Sequence, residues 1–173
     1  MGRVVATGEF GDERNTSGWA RLTVKTNPVY ADELTMWGAG YLEGRVTAAM
    51  VWENWYNLLQ SSFGGSVPAA LQGWFKANLA WMDDQVRRYA ATQPYWRHVE
   101  LLLLQLRGIH QGYQESAFVA NSTARALPFD AFILLNSDGD MEELCVVRFS
   151  LSFLFSFSLL FLFCFLLIKY FIN

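Results

Sequence analysis

The feature that most constrains this chain is a run of twenty consecutive residues without a charge, from Phe149 to Ile168. Arg148 and Lys169 flank the run, which is long enough to cross a hydrocarbon core of roughly 30 Å as a helix. The run therefore predicts an apolar C-terminal helix, and the membrane is its expected partner if the segment belongs to the mature protein.

Two other interpretations of this run remain open. It could form a buried core element, although a globular domain has no reason to use Phe, Leu and Ser so monotonously. It could also be translated noncoding sequence, because the codons of these three residues can be built almost wholly from pyrimidines. We favour the noncoding interpretation, and we predict one domain over residues 1–144 and a separate tail over residues 145–173.

The charge of the chain argues against nucleic acid as a partner. Lys169 is the only charged residue from Phe149 onward, so the net charge of −3 for the whole chain becomes −4 for residues 1–148. No cluster or stripe of Lys and Arg accompanies this mildly acidic balance. We expect no nucleic-acid binding.

The residue types that usually carry catalysis or bind metals are scarce. Cys145 and Cys164 lie in or beside the tail, so residues 1–144 contain no thiol for a disulfide, a metal or a nucleophile. His98 and His110 are twelve residues apart, which fits neither an HExxH site nor a clustered ligand set, and we expect both to be surface or partly buried. We predict no catalytic, cofactor-binding or metal-binding residue and no cofactor.

Two N-x-S/T triplets make Asn15 and Asn121 candidates for N-glycosylation, and both lie in polar stretches that are typical of loops. Such triplets also arise by chance. The N-terminal residues MGRVVATGEF lack the apolar run of a secretory signal, which predicts either a cytosolic protein or a missing N-terminus.

The secondary-structure pattern predicts an α+β protein that begins with a short hairpin. Residues 4–10 and 20–25 flank the turn-rich GDERNTSG, and the second run alternates apolar and polar side chains as a half-buried strand does. We expect Trp19, at the start of this strand, to cover the core or an edge.

At least three helices should follow. One is predicted from about Glu33 to Gln60, with Asp32 as its cap. Each glycine inside a helix costs about 1 kcal/mol relative to Ala. The small residues of this helix therefore indicate close backbone packing against another element; they are Gly38, Ala39, Gly40, Gly44, Ala48 and Ala49.

An amphipathic helix should run from Ser66–Pro68 to near Thr92, where Pro94 ends it. The next helix has an apolar seam at Tyr95, Val99, Leu102, Leu106, Ile109 and Tyr113. The apolar run from Phe129 to Leu135 fits either a strand or a helix.

Four blocks of the chain resemble the phospholipase B-like family, also called the lamina ancestor family. They are TGEFGDERNTSGWARLTVKT, YADELTMWGAGYLEGRVTAAMVWENWYNLL, ANLAWMDDQV and PFDAFILLNSDGDMEEL. The second block is the most specific, because family members carry a similar GYLEG-x-x-T helix after a strand that contains GW. The resemblance extends from Gly8 to about Leu144.

This resemblance implies an N-terminal-nucleophile hydrolase with a four-layer αββα fold, made as a secreted or lysosomal glycoprotein precursor. In that family an internal cut creates a chain that begins with Cys, and the new α-amino group can serve as the base for the thiol. The implied reaction is hydrolysis of acyl ester or amide bonds, with glycerophospholipids as the substrate.

The chain departs from the family at the nucleophile. The family nucleophile lies C-terminal to the block that ends here in GDMEEL, and Cys145 in ELCVVRF has none of the cleavage motif around it. We therefore expect the N-terminal portion of a hydrolase, inactive alone, whose partner is the missing C-terminal portion. The alternative is a non-catalytic, tail-anchored membrane protein with a helical interaction module.

Overall fold

The structure of the protein, a computed structural model, describes residues 4–139. The chain divides into one compact unit that ends at Asn136 and a second unit that begins at Ser137, of which the first three residues are described. The uncharged run, both cysteines and the predicted boundary at residue 144 lie outside the described residues. The predicted apolar helix therefore stays a prediction.

The N-terminal hairpin is confirmed. Strand β1 (Ala6–Glu13) pairs antiparallel with β2 (Trp19–Thr26), so that Ala6 lies opposite Thr26 and Glu13 lies opposite Trp19. The four-residue helix α1 (Arg14–Ser17) joins the strands, and Gly18 ends it with φ of 81°, a left-handed conformation that suits glycine.

Trp19 does not cover the core, because 73% of its surface is exposed. Ala20, Leu22 and Val24 point to the half-buried face of the hairpin. The alternation along a strand then places Trp19 on the opposite face, with Arg21.

Six helices follow the hairpin in the described range: α2 (Asp32–Val46), α3 (Ala48–Phe63), α4 (Ala69–Tyr89), α5 (Pro94–Gln114), α6 (Ala117–Ala120) and α7 (Phe129–Asn136). A 3-10 turn spans Thr123–Arg125. The α+β class and the helices α4 and α5 are as predicted, with Pro94 in the first turn of α5. The ambiguous run after Pro128 is a helix.

The prediction of one long helix from Glu33 to Gln60 is wrong. The helix breaks at Thr47, whose φ of −103° and ψ of 9° are not helical. The amide and the hydroxyl of Thr47 both donate to the backbone oxygen of Glu43, at 3.0 and 2.7 Å, and α3 begins at the next residue, Ala48. Asp32 is not the cap either: Ala31 occupies that position without a side-chain bond, and Asp32 lies in the first turn, where its charge suits the helix dipole.

The core lies where α3, α5, α6 and α7 meet. Its buried residues are Ala48, Tyr113, Val119, Leu127, Ala131 and Phe132. The hydroxyl of the fully buried Tyr113 donates to the backbone oxygen of Arg125 at 2.6 Å, so that this polar group has a partner.

The predicted seam of α5 is wrong at Leu102, which is 61% exposed, whereas its neighbour Leu103 is 7% exposed. Since α5 contacts α2 on one side and both α4 and α7 on others, its buried surface is wider than a single stripe. Among residues 4–139, no helix combines the length and the apolar character that crossing a membrane requires.

Candidate functional site

The contact between α2 and α5 is the most extensive helix contact in the described region, and four glycines form it. A Cβ atom on Gly40 or Gly44 would overlap the backbone oxygens of Gln105 or Ile109. A Cβ atom on Gly108 or Gly112 would likewise overlap those of Trp37 or Tyr41. We call these four glycines the glycine seam.

The seam confirms the predicted close packing of the small residues in α2. Residue numbers rise in the same direction along both faces, so the two helices run parallel. The pattern within α2 did not predict which element packs against it. The spacing Gly108-x-x-x-Gly112, equal to that of Gly40-x-x-x-Gly44, was the available signal.

A polar cluster ties the two helices together next to the seam. The hydroxyl of Tyr41 donates to Glu115 Oε2 at 2.6 Å, and Gln111 Nε2 donates to Glu115 Oε1 at 3.0 Å. Arg45 donates to the Tyr41 hydroxyl and to the backbone oxygen of Glu115, both at 3.1 Å. The bonds from Tyr41 and Gln111, together with the charge of Arg45, hold the pKa of Glu115 below its usual value.

Glu43 is the one carboxyl in the described region whose pKa is raised. It lies on α2 between Gly40 and Gly44, half buried. Burial raises the pKa of its carboxyl, and a hydrogen bond from the Gln105 side chain partly opposes that increase. Glu43 can therefore hold a proton at a higher pH than an exposed glutamate can.

A second feature is an open cleft of about 330 Å³ between α4 and α5, with Val86, Leu103 and Leu104 among its walls. Arg107 Nη2 lies 2.8 Å from Asp83 Oδ1, so an ion pair joins the two helices at this cleft. Its mixture of opposite charges and apolar wall does not select one class of ligand.

The two histidines are exposed or partly buried, as predicted. His98 is exposed. His110 is half buried, with Nε2 3.1 Å from the backbone oxygen of Leu127, and burial lowers its pKa. Within residues 4–139, no three His, Cys, Asp or Glu side chains are grouped closely enough to hold a metal ion.

Both glycosylation candidates are exposed, and both lie at short helices rather than in loops. Asn15 is in α1 at the tip of the hairpin, and Asn121 caps the C-terminus of α6.

The decisive comparison is with known families: the family described as Phospholipase B matches residues 6–156 of this chain. The chain belongs to the phospholipase B family. This match begins before Gly8 and ends beyond Leu144, inside the uncharged run, so it is longer than the resemblance found from the sequence.

Curated members of the phospholipase B family agree with this assignment. Phospholipase B-like protein B of Dictyostelium discoideum is 36% identical over 141 residues, which cover 81% of this chain and 24% of that protein. Phospholipase B-like protein C of the same organism is 32% identical over 145 residues, with the same two shares. The Drosophila melanogaster protein named "Putative phospholipase B-like lamina ancestor" is 29% identical over 140 residues, 78% of this chain and 21% of its own length. The chain thus spans about a quarter of the length of the relatives it matches.

The block GYLEG, the most specific part of the resemblance, forms the contact between α2 and α5. Gly40 and Gly44 belong to the glycine seam, Tyr41 bonds Glu115, and Glu43 lies against Gln105. Leu42 turns the other way: a Cβ atom on Gly8 of the hairpin would lie 3.6 Å from it. One turn of α2 therefore joins the hairpin to α5.

Proposed function

We propose that the chain is part of a phospholipase B-like hydrolase that cleaves acyl ester or amide bonds of glycerophospholipids. The match to the phospholipase B family over residues 6–156 is the observation that supports this function. In this proposal the nucleophile belongs to a further, Cys-led portion of the longer protein, and the described residues form the scaffold against which that portion folds.

The side chains of the described region fit a scaffold role. No thiol lies between residues 4 and 139, and the ring of His110 is directed to a backbone oxygen rather than to a hydroxyl nucleophile. The closest packing between elements of this region is the backbone contact of α2 with α5. The 173-residue chain alone is accordingly proposed to be inactive.

The test begins with the mature transcript across the codons for Leu144 to Phe149. A message that removes the Phe-rich stretch and continues to a Cys-led segment supports the proposal. The longer product is then assayed for fatty acid released from glycerophospholipid vesicles, with a Cys→Ser variant of the leading residue as its control. The proposal is wrong if the message ends after Asn173, or if the longer product and its control release equal amounts.

The family resemblance also supports a secreted or lysosomal location for the longer product. Fractionation of cells that express it from its own gene would test this proposal. Recovery in the cytosolic fraction alone would contradict it.

The uncharged run supports a second candidate, a non-catalytic protein that is anchored by residues 149–168 and interacts through its helices. Membranes from cells that express the full chain would be washed with alkaline carbonate. Retention of the protein in the pellet supports an integral anchor, and release into the soluble fraction rules it out.

A further inference from the structure

We propose that the outer edge of β1 binds an extended, basic segment of another protein, which adds to the hairpin as a third, antiparallel strand. This binding does not depend on the hydrolase function. It rests on the backbone groups that β1 directs away from β2, on the open space along this edge, and on the two carboxylates beside it.

The register of the hairpin shows which backbone groups of β1 point outward. In an antiparallel pair, residues that exchange hydrogen bonds alternate with residues that do not. The amide of Asn27 donates to the backbone oxygen of Val5 at 2.8 Å, so every second residue from Val5 onward bonds toward β2. The residues between them direct their amides and carbonyls away from β2; they are Ala6, Gly8, Phe10 and Asp12. Among the described residues, no backbone hydrogen bond joins these four to another element, and such a row is a template for a further strand.

The edge of β1 is open to solvent. Thr7, Gly8 and Glu9 are exposed, and a Cβ atom on Gly11 would meet nothing within 4 Å. A two-stranded hairpin is only marginally stable in water, so it gains stability from a third strand. An added strand can therefore approach β1 along this stretch.

The charges of the hairpin favour a basic partner at this edge. Side chains alternate along a strand, so the exposed residues Glu9 and Glu13 share the face of the hairpin that points away from α2. Arg21 and Lys25 lie on the same face, but on β2. The edge formed by β1 is therefore acidic, whereas the edge formed by β2 is basic. A strand that adds to β1 lies beside the two carboxylates, which attract Lys and Arg and repel a second acidic strand.

The spacing of the two carboxylates determines what the partner must present. An added antiparallel strand forms its hydrogen bonds with the outward groups of β1, which places Glu9 and Glu13 at the non-hydrogen-bonded positions, where opposite side chains lie closest. These two glutamates are four residues apart. The partner segment therefore carries Lys or Arg at two positions with the same spacing, with strand-forming residues between them.

The first experiment measures binding of the full chain to the dye-labelled peptide TVKVTVKVT by fluorescence anisotropy, with TVEVTVEVT as the matched control. We expect saturable binding of the lysine peptide that added salt weakens, and binding of the glutamate peptide that is about tenfold weaker. Glu9→Gln combined with Glu13→Gln should weaken binding of the lysine peptide about fivefold, because two exposed ion pairs are lost. Arg21→Gln combined with Lys25→Gln, on the opposite edge, should not weaken it. Absence of binding, equal binding of the two peptides, or equal losses in the two variants would overturn the proposal.

The second experiment locates the bound peptide by amide hydrogen exchange of the unmodified full chain, with and without the lysine peptide. We expect slower exchange at Gly8 and Phe10, because their outward amides then donate to the added strand. Exchange at Leu22 and Val24, whose amides point outward from β2, should not change. Slower exchange at Leu22 and Val24 instead would place the peptide on the other edge, and unchanged exchange at all four residues would show that no strand is added. Either result would make the proposal wrong.

Discussion

Helix α2 packs against α5 through the glycine seam and against the N-terminal hairpin, and these two regions differ in how well their glycines tolerate substitution. At the seam the backbones of α2 and α5 touch, so that even a methyl group on Gly44 would overlap Ile109. On the hairpin a methyl group on Gly11 would enter open space. Glycine is thus sterically required at the seam, whereas at Gly11 of the hairpin a larger residue would also fit.

The two regions also differ in how they treat a carboxyl group. Burial raises the pKa of Glu43 beside the seam, whereas hydrogen bonds from Arg14 lower the pKa of the exposed Asp12 on the hairpin to about 2. Folding therefore favours the protonated form of one carboxyl and the ionised form of the other. The difference shows that loss of water dominates at the seam and a charged partner dominates at the hairpin.

The largest expected effect comes from a methyl group inside the seam. Gly44→Ala should lower the free energy of unfolding by about 3 kcal/mol, because the helices must separate to accommodate the new Cβ atom. Urea unfolding followed by circular dichroism would measure it. Gly73→Ala in α4 is the matched control: with nothing within 4 Å it should stabilise the protein by about 0.5–1 kcal/mol. Equal losses from both substitutions would contradict the steric account.

On the hairpin, replacing a glycine by alanine should increase the free energy of unfolding instead of lowering it. Gly11→Ala is expected to raise the free energy of unfolding by about 0.5 kcal/mol, since alanine restricts the unfolded chain and meets no neighbour in the folded one. The same urea titration would detect it. Gly8→Ala serves as a contrast, because its Cβ atom would lie only 3.3 Å from the backbone oxygen of Thr23. If Gly11→Ala were as harmful as Gly44→Ala, the tip would be more closely packed than the structure indicates.

A pH titration of stability should separate Glu43 from ordinary carboxyls. Its folded pKa lies above the ordinary value of 4.5, so its contribution is complete below that pH and is lost as the pH rises through the folded pKa. Glu43→Gln should remove this decline with rising pH, measured as the thermal midpoint from pH 4 to pH 8. An unchanged pH profile in the variant would show that the carboxyl is not effectively buried.

The smallest effect is expected at Asp12. Its folded pKa of about 2 is lower than the ordinary 3.8, so its contribution is present above pH 3.8 and is lost as the pH falls toward 2. Asp12→Asn should slightly reduce stability near neutral pH, and added salt should shrink the difference because the Asp12–Arg14 pair is exposed to solvent. A difference that persists in high salt would indicate a buried interaction.

Local patterns were enough to predict part of the fold. Alternation predicted the hairpin, and apolar spacing with Pro94 predicted α4 and α5. The break at Thr47 was missed because the helical pattern of side chains continues through it, and the non-helical backbone angles of one residue leave no mark on that pattern. Trp19 does not reach the core because the alternation of β2 places it on the exposed face with Arg21, and the prediction for Trp19 did not follow that alternation.

Only the α2 half of the contact between α2 and α5 was predictable from the sequence. The glycines of α2 indicated close backbone packing, but no pattern within α2 identifies the element that packs against it. Two glycines in α5, Gly108 and Gly112, complete the contact. The raised pKa of Glu43 comes from its burial, which the packing of other elements against α2 creates, so the sequence of α2 alone could not indicate it.

The parallel contact of α2 with α5 also sets an order of events during synthesis. All of α3 and α4 lies between the two helices, so the ribosome must release both of them before the contact can form. Helical proteins usually fold quickly because their contacts are local, but this contact must first close a long loop. The hairpin and α2 therefore emerge early with Gly40 and Gly44 uncovered, and chaperones have their clearest opportunity to bind during this interval.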